Sequence, residues 1–152
     1  MRRFFLILIV VCAGMAWPAE AAAQKVGVRG GVSADPDQFY VGLHLVTKPV
    51  FDRVEFRPNV ELGIGDNATL IALNGEFVYR RQINKQPWSL LAGGGPGAVI
   101  RRRDGSGGDR TDTGGGLNVL IGAEHAGGFF TELKVGLIDS PSVKFGVGFT
   151  FR

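Results

Sequence analysis

Val143-Lys144-Phe145-Gly146-Val147-Gly148-Phe149-Thr150-Phe151-Arg152 closes the chain and decides how the rest of it is read. Val143, Phe145, Val147, Phe149 and Phe151 fall at every second position, with Lys144, Gly146, Gly148, Thr150 and Arg152 between them. A strand sends alternate side chains to opposite faces, so this segment has one wholly apolar face and one polar or glycine face.

The same two-residue period recurs upstream, and no segment holds a helical period over three turns. Val26, Val28 and Val32 begin a first strand near Lys25 to Ser33, and after the turn Asp35-Pro36-Asp37 a second carries Phe39, Val41, Leu43 and Leu45. Lys48-Pro49 breaks the chain. The third strand sets Val54, Phe56, Val60, Leu62 and Ile64 against Arg53, Glu55, Arg57, Asn59 and Glu61. Gly65-Asp66-Asn67 turns into a fourth, where Ile71, Leu73, Phe77 and Tyr79 oppose Ala72, Asn74, Glu76 and Arg80. A fifth runs from about Trp88 to Arg101, followed by one long polar loop, Arg102 to Thr113. Leu117, Val119, Ile121 and Ala123 mark the sixth, and Gly127-Gly128 turns into the seventh, Phe129 to Leu137. Ser140-Pro141 leads into the C-terminal strand. Eight strands joined by short connections predict an antiparallel meander, and closing it into a barrel removes both sheet edges.

The N-terminus predicts export. Arg2 and Arg3 form a positive n-region, Phe4 to Met15 an apolar h-region, and Ala21-Ala22-Ala23 a small-x-small cleavage site before Gln24. The apolar run is too short for a transmembrane helix and stops at Pro18 and Glu20. Bulky Val10 and Val11 before Cys12 argue against lipoprotein processing. Residues 1–23 are thus expected to be a signal peptide and 24–152 one β-barrel domain. Cleavage removes the only cysteine, leaving no disulfide or thiol chemistry. It also removes Arg2, Arg3 and Glu20, so the net charge of +3 falls to +2, too small to point to nucleic acid.

Two barrels satisfy this pattern. A soluble periplasmic barrel binding an apolar ligand puts the apolar face inside, and a membrane barrel puts it outside against lipid. Three features favour the membrane. Gly93, Gly95, Gly122, Gly136, Gly146 and Gly148 sit on the polar face, where a narrow lumen needs room for long charged neighbours. That face interleaves signs (Arg53, Glu55, Arg57, Glu61, Glu76, Arg80, Glu124, Glu132, Lys134, Lys144), as a sealed interior requires. With the N-terminus on the periplasmic side, the long loop falls outside the cell and the tight turns inside. Trp88, Phe149 and Phe151 at strand ends suit an interfacial aromatic girdle.

The terminal pattern polar-x-Gly-x-x-apolar-x-aromatic, carried by Lys144, Gly146, Phe149 and Phe151, resembles the C-terminal signal that marks outer-membrane barrels for assembly. With eight strands, the mature chain resembles the small outer-membrane barrels of Gram-negative-type bacteria typified by outer membrane proteins A and X. The resemblance implies an all-β, eight-stranded, antiparallel up-and-down transmembrane barrel after a cleaved signal peptide. It implies outer-membrane lipid, lipopolysaccharide and the barrel-assembly machinery as partners. It also implies a structural, envelope-integrity or surface-interaction role. Arg152 follows the usual terminal aromatic, and the external loops are short, which speaks against adhesin-like function.

Chemistry is sparse. His44 lies on a polar strand face and His125 at a turn, both expected to be structural. Lipid A deacylases of this fold class carry a His-x-Ser pair, whereas Ala126 and Gly127 follow His125, so no catalytic residue is expected. Gly93-Gly94-Gly95-Pro96-Gly97 and Gly114-Gly115-Gly116 lack the Lys-Ser/Thr and helix of a phosphate loop. No cofactor is expected, and no metal: the histidines are far apart, and Asp104, Asp109 and Asp112 read as a solvated loop rather than a calcium site. Arg101, Arg102, Arg103 and Arg110 form the one candidate ligand cluster, whose forked guanidinium groups suit lipopolysaccharide phosphates.

Overall fold

The computed structural model describes residues 25–34, 37–65, 68–103, 110–138 and 143–151. The signal segment, the Asp35-Pro36 and Asp66-Asn67 turns, residues 104–109 and Ser140-Pro141 lie outside them. Nine strands follow in chain order: β1 (Lys25–Ala34), β2 (Gln38–Val46), β3 (Pro49–Phe51), β4 (Val54–Gly65), β5 (Ala68–Gln82), β6 (Trp88–Arg103), β7 (Arg110–His125), β8 (Phe129–Gly136) and β9 (Val143–Thr150). Each of the long strands pairs antiparallel with its sequence neighbours. β1 pairs with β9, and β2 pairs with β4, so the sheet closes on itself. The result is an eight-stranded up-and-down barrel, with the short β3 an appendage on β4 at the inner end.

Two expectations are corrected. Lys48-Pro49 does not simply break the chain, because Pro49↔Glu55 and Phe51↔Val54 pair with β4 across a register shift. Half of the polar stretch 102–113 is ladder: Arg101↔Asp112, Arg102↔Thr111 and Arg103↔Arg110 extend the β6–β7 hairpin, leaving 104–109 between the strands. Polar sequence reads as loop, yet a cross-strand neighbour holds backbone in a ladder whatever its side chains.

Alternation sets which face is wet. Val26, Val28 and Val32 on β1, Phe39, Val41 and Leu43 on β2, and Val143, Phe145, Val147 and Phe149 on β9 are exposed, Phe39 to 76 %. Their strand neighbours Arg29, His44 and Lys144 are buried, as are Arg57, Glu61, Glu76, Glu132 and Lys134. Leu133 is 40 % exposed and Lys134 beside it 1 %. The apolar face is outside and the charged face inside, the reverse of a soluble ligand-binding barrel.

Glycine placement follows from the narrow bore. At Gly146 an added Cβ would strike the Tyr40 hydroxyl, and at Gly148 the Phe130 ring. Gly128, at the expected turn into β8, has φ of 103° and abuts the Thr150 carbonyl.

Candidate functional site

The lumen is built by alternate residues of the long strands. β4 sends in Glu55, Arg57, Asn59 and Glu61; β5 sends Asn74, Glu76 and Arg80; β8 sends Glu132 and Lys134. Arg29 arrives from β1, Asn118 and Glu124 from β7, and Lys144 from β9. At this bore such groups meet across the barrel and sort into two clusters.

In the central cluster the Arg29 guanidinium lies 2.9 Å from Glu132, 3.4 Å from Glu61 and 3.8 Å from Glu76. The Lys134 ammonium lies 2.6 Å from Glu76 and 3.1 Å from Glu61, and Lys144 donates to Glu61 at 2.6 Å. Toward the inner end, Arg57 Nη2 lies 2.8 Å from both Glu55 and Glu124, and Arg80 pairs with Glu124 and, at 3.6 Å, with Glu55. The first cluster has three cations and three carboxylates, the second two of each. Both are neutral, which is what burial demands of charge.

Amides and apolar groups fill the rest. Asn118 Nδ2 donates to Asn74 Oδ1 and Asn74 Nδ2 to Asn59 Oδ1, both at 2.8 Å, a chain running from β7 through β5 to β4. Leu70, Ala72 and Val99 form one interior apolar cluster, and Val78, Leu91 and Leu120 another. His44 faces the lumen, with Nε2 3.0 Å from the Thr150 hydroxyl and its ring edge-on to Phe130. His125 Nδ1 accepts the Gly127 N–H at 2.9 Å in the turn before β8, and its ring meets Trp88. Among the described residues, no cluster of histidine, cysteine and acidic side chains has metal-ligating geometry.

The terminal motif divides between the two faces. Lys144 and Gly146 point into the lumen, whereas Phe149 and Phe151 lie outside, edge to face with ring centroids 5.3 Å apart. The Phe151 N–H bonds the Val26 carbonyl, tying the last residues to β1.

The rim arginines with described side chains, Arg101, Arg102 and Arg110, do not form one patch. Arg101 is half-buried on the concave side, opposite Asp112 and above Val99. Arg102 is exposed on the outer face, between Thr69 and Thr111. Arg110, the backbone partner of Arg103, is exposed at the tip of β7. A run of consecutive basic residues on a strand is split between faces by alternation. Arg53, read from sequence as a polar-face charge, is exposed at the β3–β4 turn instead. Arg29 was missed: its neighbours Val28 and Gly30 give no alternating charge, so its place at the centre of the network has no local signal.

No protein-family model and no curated protein sequence matches the chain. Solved structures do. The N-terminal β-barrel domain of OprF from Pseudomonas aeruginosa superposes with a TM-score of 0.63 at 13% identity, covering 84% of this chain and 96% of that one. Neisserial surface protein A gives 0.58 at 13% identity over 84% and 96% of the two chains. The outer membrane enzyme PagL gives 0.51 at 11% identity over 86% and 99%. One of the three is an enzyme, so the shared fold does not divide catalytic from non-catalytic barrels. At these identities the likeness concerns the backbone alone, and on that ground this chain has the fold of the small eight-stranded outer-membrane β-barrels.

Proposed function

We propose that this chain is an exported, non-enzymatic barrel of a bacterial outer membrane, with a structural, envelope-integrity or surface-interaction role. The observation that carries the reading is the inverted amphipathicity: a continuous apolar exterior around neutral, buried ion-pair clusters. In water that exterior would be a large uncovered patch, whereas in hydrocarbon it is the required surface. The non-enzymatic reading is supported by the two histidines, one turned into the lumen and the other engaged in a turn. A lumen filled by paired side chains supports a barrier rather than a general pore.

At the outer rim the proposal extends to lipopolysaccharide phosphates as ligands of the arginine cluster. Arg102 is the member best supported, because among the rim arginines with described side chains it is the one exposed on the outer face, the side that would meet lipid headgroups.

Cysteine labelling in liposomes tests the membrane reading. Lys134→Cys should react slowly with a bulky water-soluble maleimide and Asp112→Cys rapidly. A fluorophore at Leu133→Cys should be quenched by brominated acyl chains. Rapid labelling at 134 with no lipid quenching at 133 would overturn it.

A further inference from the structure

Proline is ordinarily confined to the edges and bulges of a sheet, yet Pro58 stands inside β4, with β5 on one side and β2 on the other. The β2–β4 register stops at His44↔Asn59, because Pro58 has no N–H to give the Leu45 carbonyl that comes next. Contact resumes where the Thr47 N–H bonds the Phe56 carbonyl at 3.0 Å and the Phe56 N–H bonds the Thr47 hydroxyl at 3.1 Å. On β5 the partner of Pro58 is Gly75. Both alternate with buried neighbours (Arg57 and Asn59, Asn74 and Glu76) and so belong to the outward set of their strands. One offers the exterior a small ring and the other no side chain.

The apolar surface is dented at this pair. A groove of about 460 Å³ passes over Pro58 and Gly75, with Val60 and Leu73 on one side and Leu43, Leu45 and Val26 on the other. That volume falls within the roughly 300–1,000 Å³ of small-ligand sites. The groove reaches the paired residues Val26 and Leu45, near the inner ends of β1 and β2.

Beneath it, the inner ends of the same strands are basic. On β5 the outward positions after Phe77 are Tyr79 and Arg81, both exposed. Arg53 is exposed at the turn into β4, and its carbonyl accepts the Arg80 N–H at 3.0 Å, which sets it beside Arg81. Lys48 is exposed just beyond β2. Arg80 turns inward to Glu55 and Glu124, and among the described residues of this arc Asp52 is the one exposed acid. The six residues from Gly75 to Arg81 span about 20 Å of strand, or roughly 15 Å of depth at the usual barrel tilt. A lipid whose headgroup rests at this rim therefore lays its acyl chain at the level of the groove.

We propose that the groove and the basic rim beneath it bind one anionic phospholipid of the periplasmic leaflet. An acyl chain lies over Pro58 and Gly75, and the phosphate sits between Arg53 and Arg81, whose forked guanidinium groups suit it. Lipopolysaccharide is a poorer occupant, because in the outer leaflet its phosphates stand at the opposite rim. The proposal rests on the membrane reading, which sets the face that lipid covers and the end that meets the periplasm.

The test uses the full chain folded in micelles doped with equal amounts of phosphatidylglycerol and phosphatidylcholine, and native mass spectrometry counts the lipid that stays bound. One phosphatidylglycerol per barrel is expected, retained roughly tenfold over phosphatidylcholine. Arg53→Gln with Arg81→Gln should abolish that preference. Gly75→Leu should fill the groove and lower retention of both lipids with the rim intact. It can be accommodated, since an added Cβ there makes only ordinary contact with the Phe56 ring, at 3.4 Å. Leu133→Ala, on β8 across the barrel, should retain lipid as the wild type does. No preference in the wild type, a preference that survives the double arginine change, unchanged retention by Gly75→Leu, or displacement of phosphatidylglycerol by lipopolysaccharide would each overturn the proposal. A fluorophore at Leu133→Cys that is still quenched by brominated acyl chains in those cases shows that the membrane reading has not failed with it.

Discussion

Replacing Lys134 with Met should destabilise the barrel by about 3–5 kcal/mol, the usual cost of removing one partner from a buried charge cluster. Lys134 Nζ is 2.6, 3.1 and 3.8 Å from carboxylate oxygens of Glu76, Glu61 and Glu132, and its side chain is 1 % exposed. At an effective dielectric of about 20, each of these contacts is worth about 4–6 kcal/mol of gross attraction. Desolvating the ammonium costs several kcal/mol, so much of that attraction is already offset in the wild type. The loss on substitution comes mainly from what is left behind, three carboxylates facing only Arg29 and Lys144. Urea unfolding in micelles reads it through Trp88, the one tryptophan beyond the signal segment, and the midpoint should fall by at least about 1 M. Adding Glu76→Gln restores neutrality, and the double variant should regain about 1–3 kcal/mol of the loss. A Lys134→Met barrel as stable as the wild type, or a double variant weaker than the single, would refute the claim that neutrality of the cluster governs lumen stability.

Leu133→Arg, on the opposite face one residue away, should cost roughly 2–4 kcal/mol in a bilayer near its midplane, measured by the same unfolding assay in liposomes. Phe151→Ser should lower the amount of assembled barrel in cells far more than it lowers refolding yield in detergent, since Phe151 is exposed and ends the terminal motif. Equal losses would mean that the residue acts through stability alone. Changing Arg101, Arg102, Arg103 and Arg110 together to Gln should reduce lipopolysaccharide co-purification, with Arg102→Gln alone giving the largest single effect. In planar bilayers the wild type should show no stable large conductance, because the lumen is filled.

The barrel was legible because its signal is local. Val143 to Phe151 and Val54 to Ile64 alternate without a break, and each strand announces its own two faces. Strand ends were less legible. Arg102, Arg103 and Arg110 to Thr113 look like loop because charge and hydroxyl dominate, yet they pair through their backbones. Where the barrel leaves the apolar layer, side-chain hydropathy stops reporting on the ladder and only pairing decides. The interior was legible in composition but not in arrangement. Interleaved signs predicted neutral pairing, and the structure resolves this into clusters of six and four charges. The apolar residues within the lumen, Leu70, Val78, Val99 and Leu120, had no signature, since an apolar residue on a polar face breaks the alternation it should obey.

Arg29 shows why the rest could not be read along the chain. It belongs to β1, yet its partners lie on β4, β5 and β8. Two of those contacts reach across the lumen, and the third, Glu132, lies beyond β9 across the seam where the first strand meets the last. Gly148, opposite Arg29 in that seam, leaves space that the Phe130 ring occupies, and the Arg29 guanidinium lies 5.6 Å from the ring centroid. Until β1 and β9 pair, Glu132 and Lys144 are on one edge of an open sheet and Arg29 on the other. Glu61 and Glu76 then have incomplete counter-charge, which solvent must supply. Closing the seam therefore completes the backbone ladder and neutralises the central cluster in one step. A register shift of one residue would turn Arg29 outward into the apolar face and leave Glu132 with Lys134 alone. Buried charge in this barrel thus contributes most by making every other register of the closing strands costly, and that relation between distant strands has no expression in local sequence.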